Sequence, residues 1–351
     1  MKTRMGGLAV IIIIVLLILW RLTSNTPPIP PLSGLPQVAQ PSHAEHPEIT
    51  AAAAPAQLSI TENIDAPMAE QFALVAQAFA EELQYPPYSR PLSAADAHLL
   101  NPNEYVVQTI PLEGGASAAI VLTQYRFIYP DEIPTALLLT GIQASEVVLS
   151  LSAENTGELL TEIPMEADTE GYQVTVAANT AWQGPLTLAI RFTANGQQQQ
   201  LHTGIEYQQP TAKIIGVNDG FAEGSDLVIP VQLDVSKAGH YRLRANLFSE
   251  QGEPIAHLVA TTYLNTGNAT LPLRAFKAVL AGHEGPYRLN TFVLERRSGS
   301  PGELSLFGSS EQADYPVEFY GLNQLSDAPW QPDEQELLRL QFLNELAPTK
   351  P

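Results

Sequence analysis

The chain has 351 residues, of which 45% are hydrophobic, with 17 basic against 37 acidic side chains, a formal net charge of −20, and no cysteine. That apolar content supports two or three packed domains of the usual ~100–150 residues and excludes a globally disordered chain. The charge excludes nucleic acid and anionic headgroups as partners, and the missing cysteine excludes disulfides, thiol nucleophiles, thiolate zinc and a lipidated cysteine.

The chain opens with "MKTRMGGLAVIIIIVLLILWRL", where Met5 to Trp20 carries no charge. Sixteen helical residues at ~1.5 Å each fall slightly short of a bilayer core, and Arg21 can snorkel to cover the difference. No small-residue cleavage pattern follows, so residues 1–22 read as an uncleaved transmembrane signal-anchor rather than a removed signal. Lys2 and Arg4 precede the span, and no Lys or Arg occurs from Leu22 to Ser89. The positive-inside rule then leaves the tail in the cytoplasm and the bulk outside it, as in a single-pass protein of a bacterial inner membrane facing the periplasm.

Residues 23–58 hold eight prolines among Ser, Thr, Gln and Ala, which predicts an extended disordered spacer. His43, Glu45 and His46 lie within it, and a metal site there is disfavoured. Residues 59–103 read as a small helical segment. Asp65 is a candidate N-cap, Pro67 suits a first turn, Glu70 complements the dipole, and Phe72, Val75, Phe79 and Leu83 form one stripe. "YPPY" at Tyr85 to Tyr88 ends that helix, and a second is expected over Ser93 to Leu100 with Ser93 and Asp96 as a capping pair. The first helix serves either to dock a partner or to pack on the next domain.

From Glu104 the helical period gives way to short alternating runs separated by Gly, Asn, Asp and Pro. "GPLTLAIRF" from Gly184 and "GPYRLNTFVL" from Gly285 share a period-2 register at an offset of 101 positions. "LSAENTGELL" and "LFSEQGEPI" both read as hairpins and lie 95 positions apart. Two features recurring in order at a domain-sized spacing predict a tandem repeat of β-sandwiches, at 104–209 and 210–325. Tyr287 stands where a tyrosine corner would bond an upstream backbone group, and Leu186 replaces it in the first unit.

"AGHYRLRANLFSEQGEPIAHLVATTYLNTGNATLPLRAF" followed by "GPYRLNTFVLE" resembles the immunoglobulin-like domains of uncharacterised bacterial envelope and secreted proteins. The resemblance covers Thr211 to Gly321 well and Glu104 to Gln209 more loosely. It implies a mainly β chain with two tandem Ig-like sandwiches and a role in adhesion, assembly or as an accessory module. It carries no catalytic residue.

None of G-x-S-x-G, H-E-x-x-H, Walker A or G-x-G-x-x-G occurs, which argues against an enzyme. His98, His202, His240, His257 and His283 are scattered, and His283 beside Glu284 reads as a solvated turn. "NDGFAEGSD" gathers Asn218, Asp219, Glu223 and Asp226, and oxygen ligands in one short loop could hold calcium. The regular spacing of a calcium loop is missing, however, and a solvated acidic loop is the simpler reading. "EADTEG" at Glu166 to Gly171 is weaker still.

Residues 326–351 read as a C-terminal helix and tail, with the helix over Pro332 to Leu346. Its leucines and Phe342 spread around several faces, which calls for burial on more than one side. It would wedge against the second sandwich, dock on a partner, or support self-association. The expected function is protein binding or scaffolding in the envelope, with unidentified envelope proteins as partners. The alternatives are an accessory subunit of an envelope enzyme and a calcium-dependent adhesin or carbohydrate-binding module.

Overall fold

The computed structural model describes residues 65–169 and 171–347. The predicted anchor at 1–22 and spacer at 23–58 lie outside the described residues. No helix among the described residues is long and apolar enough to cross a membrane. The chain is mainly β, and its sheets face each other in pairs across two separate cores.

The first core draws on residues between Ala118 and Tyr207. One sheet is built from β2 (Thr109–Pro111), β3 (Ser117–Leu122), β5 (Ile133–Thr140), β8 (Glu166–Asp168) and β9 (Gly171–Val176), in the order β2-β3-β5-β9-β8. The facing sheet holds β4 (Arg126–Ile128), β6 (Ala144–Ala153), β7 (Leu159–Pro164), β10 (Gly184–Ala194) and β11 (Gln197–Gln208), in the order β4-β11-β10-β6-β7. Alternation does the sorting: Leu186, Leu188, Ile190 and Phe192 point inward while Arg191 stays exposed. "AAIVLTQYRFIY" divides into β3 and β4, which belong to different sheets. β4 runs parallel to β11, and the Asn103 side chain bonds both backbone groups of Arg126 at 2.8–2.9 Å where the chain crosses over.

The second core runs from Ala212 to Leu325. One sheet contains β12 (Ala212–Val217), β13 (Phe221–Glu223), β14 (Asp226–Val235), β17 (Gly267–Phe276) and β20 (Ser309–Ser310). The other contains β15 (Gly239–Ser249), β16 (Pro254–Leu264), β18 (Tyr287–Arg296), β19 (Leu306–Phe307) and β21 (Asp314–Val317). The two "GP" strands are spatial equivalents. β10 lies against the β6–β7 hairpin as β18 lies against the β15–β16 hairpin. The shared register holds for Leu186 and Leu188 against Tyr287 and Leu289, all at most 1% exposed. It then breaks, because β18 bulges at Thr291 (φ 55°) and turns Leu294 rather than Val293 into the core.

Tyr287 forms the expected corner, its hydroxyl donating to the His283 carbonyl at 2.5 Å. Burial and the nearby Glu284 carboxylate push that hydroxyl's pKa up to about 12. In the first sandwich Leu186 fills the same place by packing alone. Tyr287→Phe leaves a partly desolvated carbonyl unpaired. It is expected to lower the second sandwich's unfolding free energy by about 1–2 kcal/mol in urea titrations.

The flanking segments do not follow chain order. α1 (Ala66–Glu82) and β1 (Ser89–Pro91) precede the first sandwich, yet β1 pairs with β16 of the second. α2 is shorter than predicted, covering only Ala97–Leu100, with Ser93 and Asp96 bonded to each other ahead of it. A further short helix, α3 (Lys277–Leu280), follows β17. α4 (Glu334–Leu346) opens with a capping box between Asp333 and Glu336 and packs on α1. Ala69 and Ala76 are the buried residues of α1, and Phe72, Phe79 and Leu83 of the predicted stripe are partly buried, whereas Val75 is half exposed. At the junction of the sandwiches, the Arg126 guanidinium lies 3.6 Å from the Phe307 ring centroid. There the Phe307 N–H also donates to the Gln208 side chain at 2.9 Å.

Candidate functional site

The acidic stretch singled out for calcium is a tight hairpin rather than an open loop. Gly224 (φ 62°) turns β13 onto β14, so Glu223 and Asp226 face each other across the ladder. Arg274 on β17 reaches both, with Nη2 2.7 Å from Glu223 and Nη1 3.5 Å from Asp226. The Tyr88 hydroxyl, from just before β1, donates to Asp226 at 2.9 and 3.1 Å. Asp219 lies exposed outside this cluster. Among the described residues no group of three or more His, Asp or Glu is arranged to hold a metal ion. Glu223 and Asp226 thus anchor an arginine and a tyrosine.

Burial sets the electrostatics here. It lifts the Asp226 carboxyl above its usual range, against the opposing pull of the Tyr88 hydrogen bond and of Arg274. It also raises the Tyr88 hydroxyl, helped by the bond to Asp226. Arg274 is held more firmly charged, chiefly by its hydrogen bond to Glu223.

Around this cluster the segment before the first sandwich straps onto the second. Ser89 is fully buried and its hydroxyl accepts the Phe276 N–H at 3.0 Å. The Val259 N–H donates to the Tyr88 carbonyl at 2.9 Å, and the Leu92 N–H to the Ile255 carbonyl at 3.0 Å. Asn246 ties down the far end, its amide donating to the Leu99 carbonyl while its oxygen meets His257 Nδ1 at 2.7 Å. The chain's other end converges on the same place. Trp330 meets Tyr88 edge-on at 6.1 Å, and Lys277 donates to the Leu325 carbonyl at 2.9 Å. Sequence reasoning took "YPPY" only as a helix stop. No local signal marks Tyr88 as a long-range anchor, because its partner lies 138 positions away.

Two features remain open on this side. Met68, Leu74 and Val75 of α1 and Leu337, Leu338 and Phe342 of α4 are each about half exposed or more. Beside Tyr88, a groove of about 480 Å3 runs between residues 259–264 of β16 and residues 270–274 of β17.

No family model matches the chain. No curated protein matches it. Among solved structures, it is similar to a DUF4785 family protein from Legionella pneumophila, at 17% identity and a TM-score of 0.41, over 51% of this chain and 52% of that one. It is also similar to the BSP domain of a biofilm-associated protein, at 11% identity and a TM-score of 0.20, over 64% of this chain and 30% of that one. A third is the tetra-tandem repeat in the extending region of a large adhesion protein, at 12% identity and a TM-score of 0.24, over 60% and 55%. The chain thus spans about half the length of the first of these.

Proposed function

We propose that this protein is a membrane-anchored binding or scaffolding protein of the bacterial periplasm, in which two Ig-like sandwiches carry a docking surface for another envelope protein and no catalysis takes place. The observation that carries the reading is the α1–α4 pair. A helix of a monomer ordinarily turns its apolar stripe inward and keeps the rest polar. Here α4 buries Leu346 and still presents Leu337, Leu338 and Phe342, while α1 presents Met68, Leu74 and Val75. Large apolar side chains left exposed on two packed helices are what a protein partner covers. The predicted anchor and spacer run directly into α1 in sequence, which suits a surface displayed at the end of a tether.

A photo-crosslinker at Leu338 in the full-length chain, activated in intact bacterial envelopes, tests this. The expected result is a defined protein adduct that disappears when Leu337, Leu338 and Phe342 are all replaced by Gln in a chain crosslinked from Leu74. Adducts to lipid alone, or none, would sink the reading.

A further inference from the structure

We propose that the outer edge of β16 at Thr261 and Tyr263 is a strand-addition site for an extended segment of a partner protein, with small apolar residues at alternate positions; this rests on the protein-binding reading above. β15 pairs with β16 from Ala256 to Leu264, but on the other edge β1 pairs only with Ala256, His257 and Leu258. The direction of the free groups follows from parity. The Val259 N–H reaches outward to the Tyr88 carbonyl, and the Ile255 carbonyl reaches outward to Leu92. Backbone groups alternate sides along a strand, so those of Thr261 and Tyr263 face outward as well. No strand among the described residues pairs with them on that side.

The sequence shows why the strap stops there. Pro86 and Pro87 precede Tyr88, offer no N–H to a ladder, and lead the chain away toward α1. The rest of the edge reads Ala-Thr-Thr-Tyr-Leu from residue 260, without a charge or a proline. Sheet edges exposed to solvent are ordinarily blunted by such residues. The equivalent edge in the first sandwich, β7, carries Glu162 and Pro164. The β16 edge lacks that protection and already accepts one strand of its own chain.

The shape of the site selects the occupant. The groove has walls on both sides, β16 and β17, with Tyr88 closing one end. A single extended chain fits between them, whereas the edge of a second sandwich brings a whole sheet and is too broad. Leu264 and Leu271 are buried at the floor, and Thr261, Thr262 and Thr270 supply hydroxyls. The one charged lining residue, Arg274, is committed to Glu223 and Asp226. Recognition would therefore rest on main-chain hydrogen bonds with small side-chain pockets, the pattern of β-augmentation.

The test pans random linear peptides displayed on phage against the full chain held in detergent, then measures the enriched sequences as synthetic peptides. Enriched peptides are expected to alternate apolar residues and to slow amide exchange at Thr261 and Tyr263. Thr261→Pro removes one outward donor and leaves the β15 ladder intact. It should weaken binding about tenfold or more, the worth of one backbone bond. Should that variant misfold, Tyr263→Lys places a charge beside the edge on a half-exposed side chain and should weaken binding in the same way. Failure to enrich any peptide overturns the proposal, as does binding that leaves both amides unprotected and both variants unaffected. Such a failure with the Leu338 adduct intact would discard strand addition and leave the protein-binding reading standing.

Discussion

Gly171→Ala is expected to destabilise the first sandwich by about 3 kcal/mol or more, the range of severe core overpacking. A methyl carbon on Gly171 would stand 1.9 Å from the Leu137 carbonyl oxygen and 3.0 Å from its carbon. Both are backbone atoms, so no side chain can swing away. β9 pairs with β5 through Leu138 and Gly171, and Leu137 is fully buried in the core. Relief requires parting two central strands or lifting Leu137 out of its place. Trp182 packs edge-on against Tyr207 in this core and reports its unfolding by fluorescence. In a background with Trp20 and Trp330 both replaced by Phe, the denaturant midpoint followed by Trp182 should fall sharply. A cost below about 1 kcal/mol would mean that the two backbones are not this close.

Arg274→Ala should cost the second sandwich about 2–3 kcal/mol at neutral pH, because it leaves a buried carboxylate without its cation. Asp226 is 8% exposed, and burial already raises its pKa above the usual carboxylate range. Without the guanidinium, that pKa climbs further. The sign follows from linkage. A carboxyl whose folded pKa exceeds its unfolded value favours folding when protonated and opposes it once ionised. The penalty of Arg274→Ala is therefore largest above the folded pKa of Asp226 and shrinks as the solution is acidified through it. Adding Asp226→Asn should recover much of the loss at neutral pH, since the amide oxygen still accepts from Tyr88. A penalty independent of pH would show that Arg274 acts by packing alone. The same variant should loosen the strap, seen as faster amide exchange at Leu92 and Val259.

The repeat was legible because two strong signals coincide: a Gly-Pro strand start and a polar hairpin turn, each recurring about a hundred residues on. Both mark positions where the backbone itself restricts residue type. Alternation placed Leu186, Leu188, Tyr287 and Leu289 inward correctly. It lost the register at Thr291, where a bulge puts a β-branched residue at positive φ, a conformation that propensity does not foresee. The splitting of β3 from β4 went unseen for a related reason, since Thr123 to Tyr125 carries no glycine or proline to mark the crossover. Of the predicted α1 stripe, Phe72, Phe79 and Leu83 are partly buried and only Val75 is exposed, whereas Ala69 and Ala76 on the same face went unread because alanines give a weak hydrophobic signal. The acidic hairpin was harder still. Local spacing cannot reveal that Glu223 and Asp226 meet an arginine from β17 and that Asp226 also meets a tyrosine from before the first sandwich.

The strap has a consequence for biogenesis. Ser89 receives its hydrogen bond from Phe276, 187 positions further on. A polypeptide emerging from its amino end therefore completes the whole first sandwich while residues 85–92 still lack their seat. Closure waits until β14, β16 and β17 have assembled, which makes it a late event dominated by long-range loop closure. A nascent chain arrested before residue 276 would hold a finished first module preceded by an undocked ribbon. Proteases should cleave that ribbon in the truncated chain and spare it in the complete one.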